Sequence, residues 1–370
     1  MLRPHLPHVK PSVCVLLRGL CGSGLCPTFN HSTLSPPPPS RLRKRFADDP
    51  RTRLNVSVPK PILRGAVLDL GSNTFKLLLA EQSGSTLRIY HEKAYPVRLG
   101  EGVAKTGRLQ PATCRRALSV LARLQKKIRA FRPEKTVAVA TGTLRRARNA
   151  KSFLHPASKI LRAQIRLLSG HEEGRLIALA ARGLSRGPCP RFHIDLGGGS
   201  LEVIDSLRPN HPRIVSLNLG CVAVRDTLLP QHPPSPDQWE LAIGTIRRSL
   251  KKIPAPKRKT CATFSGGTGH AYACLLNGKN MKARKLEGFP LTRTKLETLL
   301  LRVLPLSLRQ LQTLPGMPSD RATVALPAFL VLRETMKKLK LSFVRLTTHG
   351  LRYGVWLDRF APGPLSKILR

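Results

Sequence analysis

The chain has 370 residues, with 64 Lys and Arg against 20 Asp and Glu, a formal net charge of +44 and a hydrophobic fraction of 41%. That length provides for two sizeable cores, and that charge favours polyanions as partners, whether nucleic acid, polyphosphate or anionic lipid. No apolar run approaches the roughly 20 residues that cross a bilayer, and the eight cysteines form no CxxC pair and no zinc spacing with His, so a spanning helix and a structural zinc site are both set aside.

Residues 1–64 read as a disordered extension. They contain Pro36 to Pro39, the cluster Arg41, Arg43, Lys44, Arg45, and no acid before Asp48. Pro-rich polar sequence buries too little surface to order itself. The acid-free start also resembles an organelle transit peptide. The scattered cysteines suit a reducing compartment, so a cytoplasmic location is expected, with an organelle as the alternative.

From Gly65 the pattern changes. Ala66 to Asp69 and Thr74 to Ala80 read as strands around a Gly71-Ser72-Asn73 turn, and Leu87 to His91 as a third strand after Gly84-Ser85. Pro111 to Phe131 carries Ala117, Leu118, Leu121, Leu124 and Ile128 at helical spacing. A strand at Thr136 to Ala140, a helix from Leu144, a strand at Ile165 to Leu168 and a helix from Gly170 to Ala181 follow. Gly183 to Pro190 is the expected boundary between domains 65–185 and 186–370. The second half repeats the plan: strands at Phe192 to Asp195, Leu201 to Asp205 and Arg213 to Leu217, a helix from Val222, another to about Lys252, a strand at Thr260 to Phe264, then further helices, a strand at Phe343 to Leu346 and a last helix from Gly350 to Asp358. The expected fold class is α/β: an internally duplicated ribonuclease-H-like fold with a cleft between the halves.

The most informative stretch is His193 to Ile204, HIDLGGGSLEVI, and its earlier relative is Gly65 to Leu79, GAVLDLGSNTFKLLL. Glycines after a strand let backbone N–H groups converge on an anion. Carboxylates flanking such a loop, here Asp195 and Glu202, suggest a bridging cation, usually Mg²⁺. In the duplicated plan Asp69 faces Asp195 across the cleft.

At these residues the chain resembles the exopolyphosphatase/guanosine pentaphosphate phosphohydrolase (Ppx/GppA) family of the actin–hexokinase–Hsp70 superfamily. Asp69 to Leu79 and Ile194 to Ile204 resemble its two phosphate motifs. Ala140 to Asn149 resembles the segment with a phosphate-facing Arg, and Leu167 to Ile177 (LLSGHEEGRLI) the catalytic-Glu motif. Ser216 to Leu229, Phe264 to Ala271 and His349 to Leu357 resemble the later motifs, all in order. The resemblance implies transfer of a terminal phosphoryl group to water. Glu173 would be the general base and Arg145 would offset charge on the transferring group. Asp69, Asp195 and Glu202 would hold or orient Mg²⁺. Gly71, Ser72, Asn73, Gly197, Gly198, Gly199 and Ser200 would cradle phosphates.

There are departures. Gly142 stands where relatives often carry Ser or His, and His171 beside the acidic pair is expected to be solvated. The chain ends soon after the last motif, so it reads as a short form without the helical C-terminal domain of larger relatives. The substrate is expected to be linear polyphosphate, with guanosine pentaphosphate as the alternative. Two readings from other classes are a non-catalytic polyanion binder, which the intact Glu173, Asp195 and Glu202 set disfavours, and a kinase of the same superfamily, which lacks an identifiable adenosine pocket. No membrane partner is expected, nucleic acid only non-specifically, and a homodimer stays an open expectation. Cys221 reads as a small buried residue rather than a nucleophile, and Trp239 and Trp356 as core.

Overall fold

Strand β1 (Ile62–Leu70) runs into the turn at Gly71 to Asn73 and returns as β2 (Thr74–Ser83), which turns again at Gly84 into β3 (Thr86–Pro96). Gly84 has φ of 55°, the region where Gly carries no Cβ penalty. The three strands are antiparallel. A short α1 (Val103–Thr106) precedes α2 (Pro111–Phe131), whose Ala117, Leu121, Leu124 and Ile128 face the sheet. The helix returns the chain to β4 (Lys135–Ala140), parallel to β1. Then come α3 (Gly142–Arg146), α4 (Ala150–Leu161) and β5 (Ile165–Leu167), parallel to β4. The computed structural model describes residues 62–184, 190–208, 211–258, 260–360 and 365–369, all within one compact unit running from Pro59 to Arg370. The expected 1–64 extension therefore lies outside the described residues up to position 61, and its last three residues belong to β1.

Helix α5 (Gly170–Gly183) leads to the second half. There β6 (Phe192–Leu196), β7 (Leu201–Asp205) and β8 (Arg213–Leu217) form another antiparallel meander. It is followed by α6 (Cys221–Thr227), α7 (Pro236–Leu250), β9 (Ala262–Ser265) parallel to β6, α8 (Gly267–Asn277), β10 (Pro290–Thr292), α9 (Arg293–Val303), α10 (Leu308–Thr313), α11 (Ala325–Lys338) and β11 (Phe343–Leu346) parallel to β9. Five strands of the six-stranded first sheet run β3-β2-β1-β4-β5, and five of the six-stranded second sheet run β8-β7-β6-β9-β11, with β10 outside β11. These are one topology used twice, as the two DxG motifs indicate.

The last stretch departs from the sequence partition. Helix α12 (Leu351–Arg359) packs against α5, β1 and β2, and β12 (Lys367–Leu369) pairs with β3. The C-terminus therefore belongs with the first sheet rather than with domain 186–370. The contact is close: a Cβ at Gly65 would lie 2.8 Å from the Trp356 ring, and one at Gly354 would strike the Leu176 carbonyl. Trp356 is fully buried and donates Nε1–H to Gln82 Oε1 at 2.7 Å. Helices α5 and α12 fill the space between the sheets. Val67 and Val139 of the first sheet, Ile204 of the second, Leu176 and Ile177 of α5 and Tyr353 of α12 form one cluster. Fully burying such a side chain contributes ~1.5–3 kcal/mol. The loops after β1 and β6 meet at one end of this layer. Among the described residues no helix is long and apolar enough to cross a membrane.

Candidate active site

The two glycine loops touch. A Cβ at Gly199 would sit 2.7 Å from Ser72 Oγ and 3.0 Å from the Thr143 nitrogen, and one at Gly198 would sit 3.2 Å from the Asn73 nitrogen. A larger residue at Gly198 or Gly199 would press on the first half of the fold. Gly142 has φ of 42° and lies against Ser72 and Gly199. Its departure from the Ser or His of relatives thus has a local reason: the left-handed turn and the tight fit both require Gly.

One cavity of about 50 Å³ opens at this junction. At ~10–15 Å³ for each water-sized group, it has room for a few such groups. Its lining includes Asp69, Gly71, Ser72, Asn73, Glu173, Asp195, Gly197, Gly198, Gly199, Ser200 and Glu202. Every residue singled out from the sequence is there except Arg145. The Arg145 Nη1 donates to the Leu168 carbonyl at 2.7 Å and to Glu173 Oε2 at 3.1 Å. It pairs with Glu173 and does not itself line the cavity. A second correction concerns Gly197, whose N–H donates to the Ser200 carbonyl at 3.0 Å to close its own turn. By contrast, no backbone carbonyl among the described residues accepts from Gly71, Ser72, Asn73, Gly198 or Gly199 in these turns.

The acids have separated environments. Glu172 closes a capping box with Ser169 and takes Arg166 at 2.7 Å, and these bonds, the Ser169 backbone N–H first, hold its carboxyl at about 2. Its neighbour Glu173 points into the protein. Burial pushes it up to about 7, against the pull of Arg145 and with help from Asp69 and Asp195. Two adjacent carboxyls thus divide into an ionised helix cap and a buried group whose pKa is raised. Burial also raises Asp195, and raises Glu202 further, where Glu173 and Asp195 add repulsion. Glu202 accepts from Ser216 Oγ at 2.8 Å.

Strand register explains how these groups meet. Asp195 lies directly opposite Glu202 on the β6–β7 hairpin, and Asp69 lies directly opposite Lys76 on the β1–β2 hairpin. Lys76 Nζ stands 3.2 Å from Asp69 Oδ2. The duplication therefore carries a cation in one half where the other has an acid. Sequence reading assigned Lys76 no role, although the three-residue turn places it seven residues after Asp69. Arg321, Thr141, Gly266 and Leu351 also line the cavity. Arg321 precedes α11 in an irregular segment with no motif to mark it.

A cation fits here. Asp69 Oδ1 is buried without a hydrogen-bond partner, and Asp195 and Glu202 share the same cavity. No group of three or more His, Cys, Asp or Glu among the described residues forms an all-protein cage. That pattern suits Mg²⁺, which is usually held by one or two carboxylates, waters and substrate phosphates. Cys221 is buried, and burial pushes its thiol up, which removes it as a nucleophile. His171 is exposed, Trp356 is core, and Trp239 is half-buried against the second core.

The model of the Ppx/GppA phosphatase family matches residues 78–361. The chain belongs to the Ppx/GppA phosphatase family. The match starts after the first glycine loop, yet the fold brings Asp69 to Asn73 into the Ppx/GppA site. Among solved structures, the chain is similar to an Aquifex aeolicus Ppx-GppA enzyme at 27% identity and a TM-score of 0.67, over 81% of this chain and 100% of that one. An exopolyphosphatase from Cytophaga hutchinsonii matches at 18% identity and a TM-score of 0.70, over 82% and 99%; this likeness concerns the fold. The architecture is thus of the actin–hexokinase–Hsp70 type, and the protein is a phosphatase of the Ppx/GppA family.

Proposed function

We propose that the protein is a Mg²⁺-dependent exopolyphosphatase that releases terminal orthophosphate from linear polyphosphate. The observation that carries this reading is the set of buried polar atoms at the cavity that protein does not satisfy. Asn73 Nδ2 has no acceptor, and Arg321 Nε stands 3.1 Å from Asp320 Oδ2 without making a hydrogen bond, while Asp69 Oδ1 has no donor. Buried groups of this kind call for partners. Donors suit phosphate oxygens and the acceptor suits a cation. Asp69, Asn73 and Arg321 all line the cavity.

In this mechanism the N–H groups of Gly71, Ser72, Asn73, Gly198 and Gly199 bind phosphoryl oxygens, and Lys76 and Arg321 add positive charge. Asp69, with Asp195 or Glu202, would hold Mg²⁺, which would neutralise charge on the phosphoryl oxygens. Glu173, held by Arg145, orients the attacking water and accepts its proton. The leaving group is the shortened chain. Positioning and charge stabilisation carry such a reaction.

An inorganic chain is favoured over guanosine pentaphosphate because the net charge of +44 supports capture of a long polyanion. The test is phosphate release from polyphosphate of several lengths and from guanosine pentaphosphate, with Mg²⁺ and with a chelator. Release from polyphosphate that needs Mg²⁺ is expected. Turnover confined to guanosine pentaphosphate would overturn the substrate, and turnover in chelator would overturn the cation.

A further inference from the structure

The cations are unevenly distributed along the chain. Between Gly102 and His171 there are 17 Lys and Arg against a single acid, Glu134, whereas the remainder has 47 against 19. This segment is mostly α2 and α4, whose apolar faces are buried in the core of the first half, so the charge lies outward. On α2, Arg116, Arg123, Lys127 and Phe131 recur at steps of seven and four and form one line along the helix. Strand β3 borders that line. Arg116 Nε donates to the Val97 carbonyl at 2.9 Å, just past the strand, and the Phe131 ring lies 5.4 Å from that of Tyr90.

Register places the exposed rings of β3 on the same side. Tyr95, Lys93 and His91 stand opposite Phe75, Leu77 and Leu79, which enter the core that α2 covers. The next pair is Ile89 with Ala80, so Tyr90 is an extra residue at a bulge, and its ring joins this side against Phe131. Tyr90 is 50% exposed. Lys93 Nζ stands 5.7 Å over the Tyr95 ring. Among the described residues β12 covers only Thr86 to Arg88 of the outer edge of β3.

Acids do not offset these cations. Glu81 is taken by Arg64 at 2.7 Å and by the Tyr90 hydroxyl at 2.6 Å. Glu134 accepts the Arg64 backbone N–H at 3.0 Å. Among the described residues the ion pair on α2 is Arg116 with Glu101 at 3.7 Å, and Arg123, Lys126, Lys127 and Arg129 are exposed with no acid paired to them. His91 feels this field: burial first, then Lys127, Lys93 and Arg352, hold it below its ordinary value.

We propose that α2 and the outer half of β3 bind single-stranded nucleic acid, with Arg123, Lys126 and Lys127 tracking phosphates and Tyr90 stacking a base. A basic track joined to exposed rings is the combination that holds single strands without regard to sequence. An inorganic chain would use the cations but has no base for the ring. At ~1.5 Å per residue, Arg116 to Phe131 spans about 22 Å, and a stacked strand with a phosphate every ~3.4 Å lays about six nucleotides along it. None of these residues lines the catalytic cavity, so the inference is independent of the phosphoryl reaction.

The test is fluorescence anisotropy of the full chain with an end-labelled, mixed-sequence RNA of about 12 nucleotides, over a salt series. Removing two phosphate contacts in Arg123→Ala/Lys127→Ala is expected to lower the slope of log K on log salt by about 1.4. Lys251→Ala/Lys252→Ala makes the same charge change at exposed positions after α7 and should leave the slope unmoved. Tyr90→Ala is expected to weaken RNA binding about 5–100-fold without changing the affinity for polyphosphate, and Tyr90→Phe to stay near wild type. Equal losses in the two double variants overturn the face. Equal losses for RNA and polyphosphate in Tyr90→Ala, or duplex RNA bound as tightly as the single strand, overturn the ligand. Photocrosslinking of a thiouridine-bearing RNA to the wild-type chain needs no variant. Adducts on α2 or on the peptide carrying Tyr90 are expected, and adducts confined to other segments overturn the proposal.

Discussion

Arg145 and Glu173 form a 3.1 Å ion pair below the cavity, with the same guanidinium nitrogen also donating to the Leu168 carbonyl. The pair joins α3 to α5, and it opposes the burial that drives Glu173 up to about 7. Arg145 therefore offsets part of the rise that burial causes at Glu173.

Replacing Arg145 by Met removes that opposition. Loss of an opposite charge at this range raises a carboxyl by roughly 1–3 units. The acid limb of the pH dependence of kcat/KM is expected to move to higher pH by about that amount in Arg145→Met, with a smaller shift in Arg145→Lys. A pH–rate series on the three proteins measures this. An unmoved limb would show that Glu173 is not the titrating base.

The same shift has a stability consequence. The Glu173 carboxyl lies at about 7 in the fold against an ordinary value of 4.5, so the folded state binds the proton more tightly. Its contribution is fully present below about 4.5 and is lost as pH rises through about 7. In chelator, the melting temperature of wild type relative to Glu173→Gln should therefore fall between those limits. Differential scanning calorimetry at several pH values measures this difference. A difference that stays constant with pH would remove the buried proton from the account.

Gly199→Ala introduces a Cβ that would lie 2.7 Å from Ser72 Oγ and 2.9 Å from the Arg146 guanidinium. Overpacking of this kind costs typically ~1–3 kcal/mol. Loss of most phosphate release is expected, together with lower stability in denaturant titration. Full activity would mean that the two loops do not need to meet.

Much of this architecture was legible in the sequence, and the reasons are local. The spacing of Ala117, Leu121, Leu124 and Ile128 marks α2, and Gly71 and Gly84 punctuate a meander. The repeated DxG unit marks the duplication and two of the four acids that line the cavity, Asp69 and Asp195. Helix α4 was missed because Asn149 caps it without a side-chain hydrogen bond and Pro156 lies inside it. The place of α12 was illegible because chain order does not reveal that the last helix returns to the first sheet. Arg145 showed its charge but not its partner, since the Leu168 carbonyl and Glu173 come from a later segment. The N–H of Gly197 is spent on a turn that only the backbone geometry shows.

The return of α12 is itself testable. Trp356 is fully buried against β1 and stacks on Phe360 with centroids 4.5 Å apart. Trp356→Ala is expected to cost ~3–5 kcal/mol, read by denaturant unfolding. A loss below about 1 kcal/mol would mean that α12 adds little to the layer between the sheets.

The most direct measurement for the whole account is phosphate release and binding by Glu173→Gln with polyphosphate and Mg²⁺. General-base catalysis contributes typically ~10²–10⁴-fold. The account expects turnover to fall by about that factor while polyphosphate affinity stays within a few-fold of wild type, because the N–H groups, Lys76 and Arg321 that bind phosphate are untouched. Turnover equal to wild type would contradict the assignment of Glu173, and with it the mechanism built on the cavity.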